Sequence, residues 1–396
     1  MEKTTIAKSC ELHARIGWQG LTKNEYLDQG DYYLVTGVDF EKGHINFSGC
    51  HYVTKDRFDQ DSHIQLRIND VLVTKDGTIG KVAIIDTSID KPATLNSGVF
   101  VVRPKEPERL LPKYLMIVLL SNHFNQFIER IKVGCTIAHL NQEKFLGYCF
   151  PLPSVKKQEQ IIQVFDRLFS LINKRKEELT KLDDLIKARF VEMFGDPKLN
   201  PYNFPVHQLS EFIEFLTSGS RGWAQYCVDN GAEWFITIKN VKDCHITTEN
   251  MQPINAPDNA EAKRTRVQEG DLLISITADL GRTGVVTQEI ADHGAYINQH
   301  LTCIRLNREV LEPLYVAYFM ESAAGKEQFA SKNQSAVKAG LNFNSINTLR
   351  LVVPPKAKQL EFLELVNQVD KSKIAVQKAL NETQTLFESL MQKFFG

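Results

Sequence analysis

Two stretches that are almost free of glycine and proline decide the architecture of this chain. The first reads SVKKQEQIIQVFDRLFSLINKRKEELTKLDDLIKARFVEMF from Ser154 to Phe194, and the second reads PKAKQLEFLELVNQVDKSKIAVQKALNETQTLFESLMQKFF from Pro355 to Phe395. Apolar residues in both recur at spacings of four and three, which is the seven-residue period of a coiled coil. The sequence therefore predicts two long helices.

The apolar seam has the same phase in both stretches, and eight of its ten positions are apolar in each. These positions are Ile161, Phe165, Leu168, Ile172, Arg175, Leu179, Leu182, Ile186, Arg189 and Met193 in the first, and Phe362, Val366, Val369, Lys373, Val376, Leu380, Thr383, Phe387, Leu390 and Phe394 in the second. Because each seam needs a partner that buries it, we expect the helices to pair with each other. The alternative is a long surface helix packed on its own domain.

The rest of the chain also repeats, at an offset of 201 residues. The matched pairs include Asp70-Val-Leu-Val-Thr74 with Asp271-Leu-Leu-Ile-Ser275, Pro112 with Pro313, Leu140-Asn141 with Leu341-Asn342, and Gln158 with Gln359. Asn96 and Arg103 fall opposite Asn298 and Arg305, one residue out of step, before the register returns. Chance does not hold one register over most of a chain, so the pattern indicates duplication of a whole unit.

Each copy starts with a region of short β-rich runs bounded by Gly, Asn, Asp and Pro, with a helix predicted after Pro112 and after Pro313. We predict an α+β protein: two similar mixed α/β domains separated by two long antiparallel coiled-coil helices, with a pseudo-two-fold internal repeat. The predicted boundaries are 1–153 for domain 1, 154–200 for the central helix, 201–354 for domain 2 and 355–396 for the C-terminal helix.

Composition narrows the class of protein. The 396 residues are 43% hydrophobic and 24% charged, which is ordinary for a soluble globular protein. The longest apolar run, Tyr114 to Leu120, is too short to cross a membrane, and the polar N-terminus lacks the features of a signal peptide.

Seven cysteines without a C-x-x-C pair argue against a disulfide framework and a zinc site, and predict a cytoplasmic location. Because the net charge is −1, local basic loops must meet any polyanionic partner.

The familiar catalytic motifs are missing from the sequence. There is no phosphate-binding P-loop, H-E-x-x-H, G-x-S-x-G or G-x-G-x-x-G. Asp258, Glu261 and Lys263 superficially resemble the acidic and lysine signature of metal-dependent nucleases, but nothing in the first copy matches them. We therefore predict no catalytic residue, metal or cofactor in this chain.

Polar loops at matching positions of the two copies are the candidates for binding. Two such loops follow equivalent strands: Lys75-Asp-Gly-Thr-Ile-Gly-Lys81 and Thr277-Ala-Asp-Leu-Gly-Arg-Thr-Gly284. They are β-hairpin turns, or their Lys and Arg side chains contact phosphate or guanine, or both. Arg15-Ile-Gly-Trp18 and Ser220-Arg-Gly-Trp223 each pair a cation with an aromatic ring that we expect to be exposed. Two further loops precede Leu140 and Leu341. The predicted DNA-binding residues are Arg15, Trp18, Lys75, Thr78, Lys81, Thr136, His139, Arg221, Trp223, Thr277, Arg282, Gln334 and Lys338.

The whole chain resembles the specificity (S) subunits of type I restriction–modification systems. The resemblance rests on the order of domain, long helix, domain, long helix, and on four motifs. These are Phe150-Pro-Leu-Pro-Ser-Val-Lys-Lys-Gln-Glu-Gln160, Met193-Phe-Gly-Asp-Pro197, Gly77-Thr-Ile-Gly-Lys81 and Ser218-Gly-Ser-Arg-Gly-Trp223.

The resemblance implies that each domain is a target recognition domain that reads one half of a bipartite, asymmetric site in double-stranded DNA. It implies that the helices set the spacing and dock two modification (methyltransferase) subunits. Those partners would bind S-adenosylmethionine and methylate adenine, and restriction subunits would add ATP- and Mg-dependent translocation and cleavage. The loop residues above are placed by position, because the base-reading side chains vary among members of the family.

Two other functions remain open at the level of the sequence. A structural adaptor could use the paired domains to bind protein, since a near-neutral charge and an apolar seam suit that role. A nuclease could use Asp258, Glu261 and Lys263. Salt-sensitive, sequence-selective binding to duplex DNA separates a recognition subunit from an adaptor, and metal-dependent cleavage by the isolated chain would indicate a nuclease.

Overall fold

The computed structural model describes residues 2–17, 20–41, 43–86, 89–132, 139–332 and 340–396. The chain divides into two compact units. Unit 1 comprises Met1–Glu177 with Gln377–Gly396, and unit 2 comprises Glu178–Val376. Each unit therefore contains one predicted domain, about half of the first long helix and about half of the second.

Unit 1 contains a four-stranded antiparallel sheet and a smaller three-stranded sheet. The four-stranded sheet has the order Cys10–His13, Val99–Pro104, Val71–Thr74, Val82–Ile84. The three-stranded sheet has the order His51–Val53, Tyr32–Val35, Ala93–Leu95, and its last two strands are parallel. Two-stranded pairs are formed by Lys3–Thr5 with Cys149–Pro151 and by Phe40–Glu41 with His44–Ile45. The short helices are Ile6–Ser9, Lys55–Asp59, Pro112–Leu119, Asn122–Lys132 and Gln142–Leu146.

Unit 2 repeats this topology strand for strand. Its four-stranded sheet has the order Ile213–Ser218, Leu301–Leu306, Leu272–Ser275, Thr283–Val285. Its three-stranded sheet has the order Gln252–Ile254, Glu233–Ile236, Ala295–Ile297. Two-stranded pairs are formed by Val206–Gln208 with Arg350–Val352 and by Val241–Lys242 with His245–Ile246. The short helices are Ala260–Thr265, Gln288–His293, Pro313–Glu321, Ala323–Lys332 and Phe343–Asn347.

The central strands contain continuous apolar runs because both faces of the four-stranded sheet are covered. In Val71–Thr74 of unit 1, Val71 and Val73 pack in the helical core, whereas Leu72 lies in the core beneath the three-stranded sheet. In unit 2, Leu272 and Leu273 divide between two cores in the same way. A strand buried on both faces reads as a continuous apolar run rather than an alternating one.

The two long helices span Val155–Phe194 and Lys356–Phe395. In unit 1, Phe165 near the start of the first helix contacts Phe387 near the end of the second, with ring centroids 5.4 Å apart. In unit 2, Phe190 near the end of the first contacts Phe362 near the start of the second, also at 5.4 Å. The helices therefore pack antiparallel within each unit, and every predicted seam position is buried or half-buried. The predicted fold class is confirmed: two copies of a mixed α/β domain joined to long paired helices.

The one-residue slip of the repeat has a local cause. Ile85 and Val286 make the same hydrogen bond, to Asp70 O and to Asp271 O, at the predicted offset. The next strand begins at Ala93 in unit 1 but at Ala295 in unit 2, so one extra residue lies in the segment that contains Gln288–His293. The slip therefore begins in this segment, and the 201-residue register returns by Pro112 and Pro313, while the order of the strands is unchanged.

None of the helices in the described part of the chain has both the length and the apolar content needed to cross a membrane.

Candidate nucleic-acid interface

Residues 75–81, here called hairpin loop 1, connect the antiparallel strands Val71–Thr74 and Val82–Ile84. The Thr74 hydroxyl closes the loop, because its Oγ1 donates to Thr78 O at 2.5 Å and accepts from Lys81 N at 3.0 Å. Gly80 adopts φ 86° and donates to Thr74 O at 2.9 Å. This positive φ explains the glycine.

Residues 276–282, hairpin loop 2, have the same backbone frame. Ser275 Oγ donates to Asp279 O and accepts from Arg282 N at 2.9 Å, and Gly281 N donates to Ser275 O at 2.9 Å. A Cβ atom on residue 281 would collide with the Phe329 ring, so only glycine fits there. Both loops are therefore hairpins that present different side chains from one frame.

Two neighbouring segments contact each hairpin loop through its first residue. In loop 1, Lys75 N donates to Gly98 O at 2.8 Å, and Lys75 O accepts from Leu140 N at 2.8 Å. In loop 2, Ile276 N donates to His300 O and Ile276 O accepts from Leu341 N, each at 2.9 Å. Leu140 and Leu341, the residues that follow the two further predicted loops, therefore contact the hairpin loops.

The predicted residues of hairpin loop 1 differ in their surroundings. Lys81 and Thr78 are exposed, whereas Lys75 is half-buried with Nζ 5.1 Å from the centroid of the Phe100 ring. Burial lowers the pKa of Lys75, and the charge of Asp76 acts in the opposite direction. His139 Nδ1 pairs with the Asp76 carboxylate, and both side chains are about half exposed. Loop 1 therefore offers the lysine cations and a histidine–aspartate pair.

Hairpin loop 2 carries fewer free cations. Arg282 pairs with the Asp279 carboxylate three residues earlier, with 36% of the arginine side chain exposed. Thr277 Oγ1 lies 2.6 Å from His300 Nδ1, and Gln299 Nε2 lies 3.2 Å from His300 Nε2. Thr277 was predicted from the sequence, whereas Gln299 and His300 were not. They directly follow Asn298, which matches Asn96 one residue out of step, and that alignment was the available signal.

The second pair of predicted loops is divided between the interior and the surface. Arg15 is 1% exposed, and its guanidinium donates to Leu95 O at 2.9 Å and to Gln60 Oε1 at 3.1 Å. Trp223 is 2% exposed, which contradicts the expectation of an exposed ring. A buried group with these partners supports its loop and has no free surface for a base. Arg221 is exposed, and the described part of the chain offers it no hydrogen bond or ion pair.

Trp223 connects this loop to the residues considered for a nuclease. Its indole Nε1 donates to Glu261 at 3.4 Å, and its ring stacks on Phe235 with centroids 5.8 Å apart. Lys263 forms a surface ion pair with Asp258 at 3.3 Å. Within the described ranges, no three His, Cys, Asp or Glu side chains form a cluster that could hold a metal ion.

Four predicted residues, Trp18, Thr136, Gln334 and Lys338, lie outside the described residues.

One duplicated frame that carries two different sets of polar side chains defines a two-domain recognition protein. The chain belongs to the family of type I restriction–modification DNA specificity proteins, because the family model "Type I restriction modification DNA specificity domain" matches residues 19–181 and 237–384. The resemblance stated from the motifs is thereby confirmed.

Relatives and solved structures agree with this assignment. The chain is 20% identical to the type I restriction enzyme EcoBI specificity subunit of Escherichia coli, over 77% of this chain and 69% of that protein. It is 21% identical to the StySPI specificity subunit of Salmonella potsdam, over 73% of this chain and 65% of that protein.

The type I restriction–modification S subunit from M. genitalium has a similar fold. The TM-score is 0.56 at 16% identity, with coverage of 100% of this chain and 96% of that one. A chain from a study of assembly and conformational transition of a type I system gives 0.59 at 18% identity, with 99% and 96% covered.

Proposed function

We propose that this chain is the DNA-recognition subunit of a type I restriction–modification complex, in which domain 1 and domain 2 each read one half of a bipartite, asymmetric site. The single observation that carries the proposal is the shared frame of the two hairpin loops. Equivalent hydrogen bonds hold the backbone of residues 75–81 in one copy and of residues 276–282 in the other, but the side chains of the two loops differ. Two copies of one scaffold with different side chains suit two different half-sites.

The predicted DNA-binding residues divide into cations, shorter polar groups and supports. Lys75, Lys81, Arg221 and Arg282 are the cations for phosphate or guanine contacts. Thr78, His139 and Thr277 supply shorter polar groups in or beside the hairpin loops. Arg15 and Trp223 act beneath the loops as supports, and Trp18, Thr136, Gln334 and Lys338 belong to the adjoining predicted segments.

The partner subunits supply the chemistry in this proposal. Two modification subunits dock on the long helices, bind S-adenosylmethionine and methylate adenine, and restriction subunits add ATP- and Mg-dependent cleavage. The chain itself contributes no catalytic group, and the complex works in the cytoplasm. A direct test is to express the full chain with its modification subunit and map methylated adenines in cellular DNA. Marks at one bipartite sequence support the proposal, and a folded complex that binds duplex DNA without sequence preference contradicts it and favours an adaptor.

The helices set the spacing of the two half-sites in this proposal. Seven residues add about 10 Å to a helix, or about three base pairs, and preserve the heptad phase. Insertion of seven residues after Glu177 and after Val376, where the compact units divide, should lengthen the spacer and leave both half-sites unchanged. Insertion of two residues at the same places should rotate the apolar seam and prevent assembly. An unchanged spacer in the assembled seven-residue variant would contradict this role.

A further inference from the structure

The turn 298–300 lies beside hairpin loop 2 and holds two side chains that no prediction used. It joins the strands Ala295–Ile297 and Leu301–Leu306. Asn298 Oδ1 accepts from His300 N at 3.1 Å, and His300 O accepts from Ile276 N at 2.9 Å. These bonds fix the backbone of the turn against hairpin loop 2, so the positions from which its side chains project are fixed as well.

A chain of hydrogen bonds then orients the Gln299 amide. An amide nitrogen only donates, so with Gln299 Nε2 at 3.2 Å, His300 Nε2 is the acceptor. The proton of the ring then stands on Nδ1, which donates to Thr277 Oγ1 at 2.6 Å. Along this chain, Thr277 accepts from His300, and His300 accepts from Gln299.

This order leaves the Gln299 amide with one free donor and one free acceptor. The second N–H and the Oε1 atom have no hydrogen-bond partner among the residues that the structure describes, and the side chain is half-exposed. A glutamine amide with a free N–H and C=O matches adenine in the major groove, which presents the N7 acceptor beside the N6 donor.

We propose that Gln299 reads an adenine in the half-site of domain 2, and that His300 and Thr277 are positioning residues that orient its amide. This inference rests on the proposed function, since it requires domain 2 to read a half-site. The corresponding turn of domain 1 has Ser97 and Gly98, which provide no amide and no ring. The same frame therefore carries this reading group in one copy only.

The test uses the full chain assembled with its modification subunit. The recognised sequence is read from methylated adenines in cells and from selection among duplexes with randomised half-sites. Gln299→Ala should reduce the preference for adenine at one position of the domain-2 half-site by roughly 5- to 150-fold, with the domain-1 half-site unchanged. Gln299→Glu leaves acceptors alone and should shift that position toward cytosine, whose N4 donates.

The positioning residues and a matched control complete the series. His300→Ala should weaken the same adenine preference less than Gln299→Ala does, and Thr277→Val, which removes the hydroxyl that contacts His300, should weaken it as well. Ser97→Ala, at the equivalent place in domain 1, should leave the domain-2 half-site unchanged.

The outcomes separate this inference from the proposed function. A wild-type complex that marks no bipartite site contradicts both. A wild-type bipartite site whose preferences are unchanged in Gln299→Ala and Gln299→Glu overturns the reading role alone. A domain-2 half-site without a preferred adenine overturns it as well, and so does failure of both Gln299 variants to assemble, which would make the side chain structural.

Discussion

The two hairpin loops have the same backbone frame, and in each of them a histidine contacts the second residue of the loop. The histidine comes from a different neighbouring segment in each copy. In loop 1, His139 pairs with Asp76, and the turn provides only Gly98. In loop 2, the turn provides His300, which contacts Thr277, and Gly340 stands at the position that corresponds to His139. The frame therefore tolerates an exchange of histidine and glycine between two segments. A duplicated scaffold can change what it presents without changing how it folds.

The positions that connect each domain to its long helix show the opposite behaviour. Gln158 and Gln359 are both fully buried in the first turns of the two helices. Gln158 accepts from Leu111 N at 2.9 Å, and Gln359 accepts from Glu312 N at 2.8 Å. Each amide also donates to two backbone carbonyls. The two copies are thus alike where the domain meets the helix and different where the loops are exposed.

The largest expected effect tests this similarity. Gln158→Ala and Gln359→Ala each leave one buried N–H and two carbonyls without their partner, which should cost about 3 kcal/mol in the free energy of unfolding. Denaturant unfolding of the two variants measures it, with Gln160→Ala, at an exposed position, as the matched control. A loss below about 1 kcal/mol in one variant and not in the other would show that the copies are anchored differently.

A smaller effect distinguishes the loops. Lys81 is exposed, whereas Arg282 forms an ion pair with Asp279. Both side chains can bind a phosphate, but Arg282 must first break its ion pair. Lys81→Ala and Arg282→Ala should each reduce the slope of log affinity against log salt by about one, with the larger loss of affinity for Lys81→Ala.

Titration of binding to duplex DNA by the complex at several salt concentrations measures these slopes. Lys181→Ala removes an equal charge from an exposed position of the first long helix and serves as the control. Equal slopes in all three variants would show that Lys81 and Arg282 do not contact DNA phosphates.

The smallest effect concerns a contact of unit 2. His245 Nε2 lies 2.9 Å from Asp370 Oδ2 on the second long helix, whereas His44, the equivalent residue, pairs with Asp86. Burial acts to lower the pKa of His245, but the hydrogen bond and charge of Asp370 outweigh it, so the pKa is raised. Burial acts to raise the pKa of Asp370, and His245 and Lys373 outweigh it, so that pKa is lowered.

The sign of the pH dependence follows from these shifts. The raised pKa of His245 gives stability that is present below the usual value near 6.5 and is lost as pH rises through the raised value. The lowered pKa of Asp370 gives stability that is lost only as pH falls below about 4. His245→Ala should therefore lower the melting temperature more at pH 5.5 than at pH 9, by an amount equivalent to less than about 1 kcal/mol. In Asp370→Asn as background, the difference between the two pH values should disappear, and a persistent difference would assign it to another group.

Sequence patterns predicted the repeat, the helices and the position of the hairpin loops, because periodicity and turn residues are local signals. They could not decide the direction of a side chain. Arg15 and Arg221 stand in similar Gly-containing loops, but Arg15 turns inward because Leu95 O and Thr94 Oγ1, far away in sequence, accept its hydrogen bonds. His300 was missed because its counterpart is a glycine beyond the slip of the repeat.

The central claim is that each copy carries its own half of the recognition sequence. The most direct measurement replaces residues 2–153 by a second copy of 203–354, leaves both long helices intact, and maps methylated adenines in cells that express this chain with its modification subunit. The account predicts a symmetric site built from the domain-2 half-site twice. Methylation at the original asymmetric site, or assembly of a complex that marks no specific site, would contradict it.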